Sequence, residues 1–253
     1  MEGILGQKSF LDFYVRLKYI DFIRECSEKM PGEEPMLAQR GYEIIKENIK
    51  IKPLYTRNWL IAGTFTTFLA DKEKNAAKKE SLIKEATDYF VEAQELSPKR
   101  QEIYDEWIKL DLVSGQYQQA MARAKECLSL NPDFWECHWL LGLAQAFSGA
   151  PQAEVEKSLA VVRGMGFDFN NPSVIGQLIK AYTVSKNYPE LAKQYQLLIQ
   201  LEPDNAQLHA ELAFIFRELK EYKKAEAEAL KALELLPSAQ AEVEEFLKTL
   251  PLK

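Results

Sequence analysis

Along residues 172–239 the apolar positions recur with a period of 34 residues. The blocks PSVIGQLIKAYTVSKNYPELAKQYQLLIQLEPDN and AQLHAELAFIFRELKEYKKAEAEALKALELLPSA lie in register. Leu178 matches Leu212, Tyr182 matches Phe216, Tyr188 matches Tyr222, Leu191 matches Ala225, Tyr195 matches Ala229, Leu198 matches Ala232 and Pro203 matches Pro237. Inside each block the apolar residues fall three and four apart, the spacing that places them on one face of a helix. Each block therefore predicts two amphipathic helices. Its closing proline, which has no amide hydrogen to donate, ends the second.

The pattern continues in both directions. Residues 101–134 carry an unmodified copy, with Trp107, Ile108, the turn Gly115-Gln116-Tyr117, Ala120, Ala124, Cys127 and Pro132 in place. Residues 135–171 carry a slightly longer copy that keeps Leu141-Gly142 but ends in RGMGFDFNNP. Upstream, 54–100 holds Trp59, Ala62 and Gly63 on a first helix and Ala86, Phe90, Ala93 and Pro98 on a second, with an insertion around DKEKNAAKKES between them. Such insertions map to loops or lengthen a helix. The charge run reads as a solvated helix end. Residues 1–53 form a degenerate pair: a helix over 8–29 built on Phe10, Phe13, Tyr14, Leu17, Ile20 and Ile23, a turn marked by Pro31-Gly32 and Pro35, and a helix over 37–51 that stops at Pro53. The last segment, 240–253, supplies a terminal helix whose polar outer face caps the stack. With repeats at 54–100, 101–134, 135–171, 172–205 and 206–239, the expectation is one array over 1–253.

Composition narrows the class. The chain of 253 residues is 28% charged and 47% hydrophobic with only 11 Gly and 11 Pro. It is rich in good helix formers, so the expected fold is all-α. The net charge of -6, with Lys and Glu interleaved, leaves no basic stripe for a phosphate backbone, so nucleic acid is not expected as a partner. No run of about 18 apolar residues predicts a membrane span, and the N-terminal apolar stretch is broken by Asp12, Arg16, Lys18 and Asp21, unlike a signal peptide. Cys26, Cys127 and Cys137 form no metal-like cluster. An odd, sparse set reads as small buried apolar side chains more than as a disulfide framework; a Cys127–Cys137 pair across two adjacent helices is the alternative, which leaves the compartment open between cytoplasmic and extracytoplasmic.

A 34-residue period of two amphipathic helices and a closing proline resembles the tetratricopeptide repeat family. The resemblance implies a right-handed α-solenoid of stacked antiparallel helix pairs with a C-terminal capping helix. It also implies a concave groove lined by the first helix of each pair. Carried onto this sequence, the inner positions include Leu60 and Phe68, then Asp105, Lys109 and Leu112, then Trp139, Leu143 and Phe147, then Lys180, and last Phe214 and Arg217. Trp139, Leu143 and Phe147 are four apart and form one stripe, so the middle of the groove is expected to be apolar and aromatic. A stripe of that kind needs a cover. The cover is either a protein or peptide segment with apolar anchors, or the chain's own N-terminal helix or a second copy in a homodimer. A glycan or lipid stacked on Trp139 and Phe147 is a third reading. The Lys/Asn clamp by which some tetratricopeptide co-chaperones hold acidic tails is absent, and Glu102, Asp105 and Glu136 would repel such a tail.

No catalytic constellation stands out, and no enzyme activity, cofactor or metal is expected. His138 and His209 share the fourth position of their repeats, which marks packing, and repeat stacking sets them too far apart for a relay. Gly164-Met165-Gly166 joins two helices and is no phosphate loop. The segments PLYTRNWLIAGTFTTFLADKEKN and LSPKRQEIYDEWIKLDLVSGQYQQAMARAKECLSLNP are also similar to the soluble C-terminal repeat region of bacterial O-antigen ligase or polymerase-like proteins. That resemblance implies an extracytoplasmic accessory domain of an envelope-polysaccharide enzyme, whose chemistry belongs to a membrane part outside this chain.

Overall fold

The structure, a computed structural model, describes residues 12–29 and 32–251. The predicted helix start at residue 8, with Phe10, lies outside the described residues. Among the described residues there are thirteen α-helices and no strand: α1 (Asp12–Lys29), α2 (Glu34–Ile51), α3 (Thr56–Lys72), α4 (Ala76–Leu96), α5 (Gln101–Val113), α6 (Tyr117–Leu130), α7 (Trp135–Ser148), α8 (Gln152–Gly164), α9 (Pro172–Ser185), α10 (Tyr188–Leu201), α11 (Ala206–Glu218), α12 (Tyr222–Leu235) and α13 (Gln240–Lys248). The chain divides into two compact units, residues 1–140 and 141–253, and the boundary falls inside α7.

One departure from the sequence expectation has a local cause, and one alternative left open is decided. Pro35, read as a turn marker, lies in the first turn of α2; proline suits that position because its missing amide hydrogen has no partner there anyway. The insertion in 54–100 becomes helix: α3 has 17 residues and α4 has 21, whereas α5 has 13. Only residues 73–75 remain between α3 and α4, and the Asn75 side chain caps α4 by accepting the Lys78 amide at 3.0 Å.

The turns repeat as faithfully as the helices. Between the helices of four successive pairs, one residue adopts left-handed backbone: Gly115 (φ 75), Gly149 (φ 71), Lys186 (φ 55) and Lys220 (φ 62). The next amide then reaches back to close the helix, as Gln116 to Asp111 O at 2.8 Å, Ala150 to Gln145 O at 3.0 Å, Asn187 to Tyr182 O at 2.9 Å and Glu221 to Phe216 O at 2.9 Å. This closure satisfies carbonyls that the helix end would otherwise orphan.

In the first unit, Leu17 and Ile20 of α1 join Tyr42 and Ile45 of α2 and Ile61 and Phe65 of α3 in one core cluster. The close approach of α3 to α4 requires Gly63, where a Cβ would stand 2.5 Å from the Phe90 ring. Arg123 lies over the Trp107 ring at 3.7 Å and pairs with the buried Asp111 at 2.9 Å, joining α5 to α6. Cys127 of α6 and Cys137 of α7 form a disulfide, and both are fully buried. In the second unit, α13 closes the apolar surface of the last pair: Val243 packs with Ala213 and Ala229, and Phe246 and Leu247 flank them.

Candidate partner-binding surfaces

The expected aromatic stripe is not an exposed surface. Trp139, Leu143 and Phe147 are 6%, 4% and 7% exposed. Cys137, Leu140, Leu141, Ala144 and Ala146 on the same helix are also buried. A helix with apolar residues all round is an interior helix, so sharing a face did not mean facing solvent. Leu60 is likewise buried, at 8%.

Other inner positions of the first unit reach the surface in part. Phe68 is half-buried and borders a small cleft of about 170 Å³ shared with Ile23 of α1 and Ala38 of α2. The N-terminal helix therefore covers part of α3, and Asp21 adds a 3.1 Å ion pair to Arg57. On α5, Lys109 bonds Asp105 and Glu106, each at 2.9 Å. Burial pushes the Asp105 carboxyl up to about 6; the Lys109 charge opposes this, and Glu106 and Glu136 reinforce it. Burial alone would pull Lys109 down, but Glu106 and Asp105 together hold its ammonium above the usual range. Leu112, half-buried, follows on the same helix.

In the second unit Lys180 is exposed on α9. Phe214 of α11 lines a cleft of about 490 Å³ between α11, α12 and α13, and Arg217 lies over its ring without lining the cleft. Helical pitch explains the α11 wall, since Gln207, Ala210, Glu211 and Phe214 lie on one face. Alanines of α11 and α12, including Ala210, Ala213 and Ala229, floor it, and their short side chains leave the space. Phe214 is 43% exposed. The guanidinium of Arg217 lies over the rings of Phe214 at 4.5 Å and Phe246 at 5.4 Å and is held by Glu218 at 3.1 Å. Sequence reading named Phe214 and Arg217 but not Glu211, Glu242 or Phe246. The last two belong to the cap helix, whose amphipathic pattern was the available signal.

The two histidines act in packing. His138 Nε2 meets Pro132 O at 2.8 Å, and His209 Nε2 meets Pro203 O at 3.1 Å while its Nδ1 meets Glu228 at 2.6 Å. Trp59 and Tyr104, at the same repeat position, bond Pro53 O at 2.6 Å and Pro98 O at 2.9 Å. Each ties the start of a helix to the preceding turn. Among the described residues no group of three or more His, Cys, Asp or Glu could hold a metal, and no helix is long and apolar enough to cross a membrane.

Comparison with solved structures decides what kind of fold this is. The chain is similar to PilF of Pseudomonas aeruginosa, at 18% identity over 92% of this chain and 96% of that one, with a TM-score of 0.55. A thermophilic tetratricopeptide protein of Thermus thermophilus aligns at 14% identity over 81% and 98%, also with 0.55. The fold is that of a tetratricopeptide repeat protein. YrrB, described as a tetratricopeptide protein with an unusual peptide-binding site, aligns at 14% identity over 81% and 98% with 0.51. No family model and no curated protein matches the chain.

Proposed function

We propose that this chain is a non-catalytic protein-interaction scaffold whose accessible binding surface includes the cleft between α11, α12 and α13. The carrying observation is the cleft itself: about 490 Å³, floored by alanines and flanked by the partly exposed Phe214. Its volume falls in the range of roughly 300–1,000 Å³ typical of ligand sites. A tetratricopeptide fold is built to present such surfaces between helices, and the peptide site named for YrrB is consistent with a peptide occupant. No cofactor enters this reading. Selection of a displayed random-peptide library on the whole chain tests it. Enriched peptides should bind the wild type and lose binding to Ala210→Trp, which fills the cleft, while a stably folded Ala210→Trp that binds them unchanged would sink the proposal.

One observation favours the extracytoplasmic alternative. The buried Cys127–Cys137 disulfide suits an oxidising compartment, which is where an accessory domain of an envelope-polysaccharide enzyme would work. Acid-quenched alkylation of protein taken from its host, followed by mass measurement, tests this. A bridged pair supports it, and two alkylated cysteines overturn it.

A further inference from the structure

The cleft has a chemical polarity that specifies its occupant more closely. Resting on the reading of the cleft as a binding site, we propose that it takes a partner protein segment that inserts one large apolar side chain next to a lysine or arginine. The alanine floor gives room for the apolar side chain without requiring Phe214 or Phe246 to move. Glu211 and Glu242 contribute two carboxylates to the lining from facing helices. Neither forms an ion pair among the described residues, and Glu211 accepts only the neutral Gln207 amide, at 2.8 Å. Arg217, which lies against the two aromatic rings, is already held by Glu218. It therefore leaves the Glu211 and Glu242 charges unneutralised. A net charge of -6 adds to the bias against an acidic occupant.

Charge complementarity of this kind selects partners and speeds encounter more than it adds affinity. The apolar anchor should thus set whether a segment binds, and the basic residue should set which segment binds. A second copy of this acidic chain is disfavoured as occupant for the same reason.

The test uses two synthetic peptides of equal length and equal leucine and phenylalanine content, one with flanking lysines and one with glutamates in their place. Both are titrated by fluorescence polarisation against the full chain, Ala210→Trp and the double variant Glu211→Lys/Glu242→Lys. Glu242 is exposed and Glu211 half-buried, and thermal melts confirm that each variant folds. The expected result is about tenfold tighter binding of the lysine peptide, as two surface ion pairs of up to ~1 kcal/mol each would give. That preference should shrink at high salt and vanish or invert in the double variant. Equal binding of both peptides, abolished by Ala210→Trp but unmoved by charge reversal, overturns the basic-partner proposal and leaves the cleft reading standing. If neither peptide binds, or a folded Ala210→Trp changes nothing, the cleft reading itself fails. A concentration-dependent dimer in sedimentation that Ala210→Trp dissociates overturns the proposal in favour of self-association.

Discussion

The Tyr104 hydroxyl donates to the carbonyl of Pro98, six residues upstream, at 2.9 Å, and it also meets Gln94 at 3.2 Å and Glu126 at 3.1 Å. Tyr104 is almost fully buried, but Pro98 and Glu126 are exposed, so water can reach the groups its hydroxyl leaves. Tyr104→Phe should lower unfolding stability by about 0.5–1.5 kcal/mol, the net worth of a typical hydrogen bond. Urea denaturation checks this, and an unchanged midpoint would show that the bond is dispensable.

The tie between a donor side chain and a proline carbonyl shows what the sequence could and could not disclose. The period placed His138 and His209 in register and correctly implied packing. Trp59 and Tyr104 share that register, but their common chemistry, a ring or hydroxyl hydrogen aimed at the same carbonyl, appears only when donors are compared by function and not by residue type. The fourth repeat confirms the rule by omission: it has Ile175 at this position and Phe169 where the proline would be. The fold was legible because a 34-residue period constrains every helix at once. The proposed binding surface was less so. Trp139, Leu143 and Phe147 share a face, but a shared face says nothing about whether a neighbour covers it. The cleft needs the cap helix to form its far wall, and that packing is invisible to a repeat-by-repeat map.

The Cys127–Cys137 bridge closes a short loop that joins α6 to α7, with a sequence separation of 10. In the chain-entropy account, restricting the unfolded state over a loop of that size stabilises the fold by roughly 2.5–3 kcal/mol. The Cys127→Ser/Cys137→Ser variant should lose at least this amount, since it also places two hydroxyls in an apolar interior. The wild type should melt lower after reduction in denaturant and refolding with reductant. Equal melting temperatures with and without the bond would exclude a stabilising role.

Lys186 and Lys220 occupy a left-handed turn position that Gly115 and Gly149 fill in the preceding pairs. A side chain costs about 1–2 kcal/mol in that conformation, while glycine adds unfolded-state freedom that returns about half of the gain. Lys220→Gly should therefore raise stability by roughly 0.5–1 kcal/mol, and Gly115→Lys should lower it by a similar amount. Paired chemical denaturation curves settle the signs, and a loss in Lys220→Gly would mean that the lysine side chain makes a compensating contact.

Asp105 should give the fold a pH dependence of unusual sign for a carboxylate. Burial raises its folded pKa to about 6, with Lys109 opposing from α5, Glu106 adding repulsion from the same helix and Glu136 adding it from α7. The unfolded value is near 3.9. Below about pH 4 the group is protonated in both states and has no effect. Between about 4 and 6 the folded state holds a proton that the unfolded state has released, so stability falls as pH rises. Above about 6 the full penalty applies, about 2–3 kcal/mol at 1.4 kcal/mol per pKa unit, and the side chain, 14% exposed, has little solvent to screen it. Asp105→Asn removes the titrating group while leaving Lys109 its bond to Glu106. The stability of the variant relative to wild type should thus climb by about 2–3 kcal/mol from pH 4 to pH 7, whatever the constant offset from the lost Lys109 bond. Urea unfolding of both proteins across that window measures the difference. A flat difference would show that water reaches the carboxylate and that α5 and α7 do not enclose it.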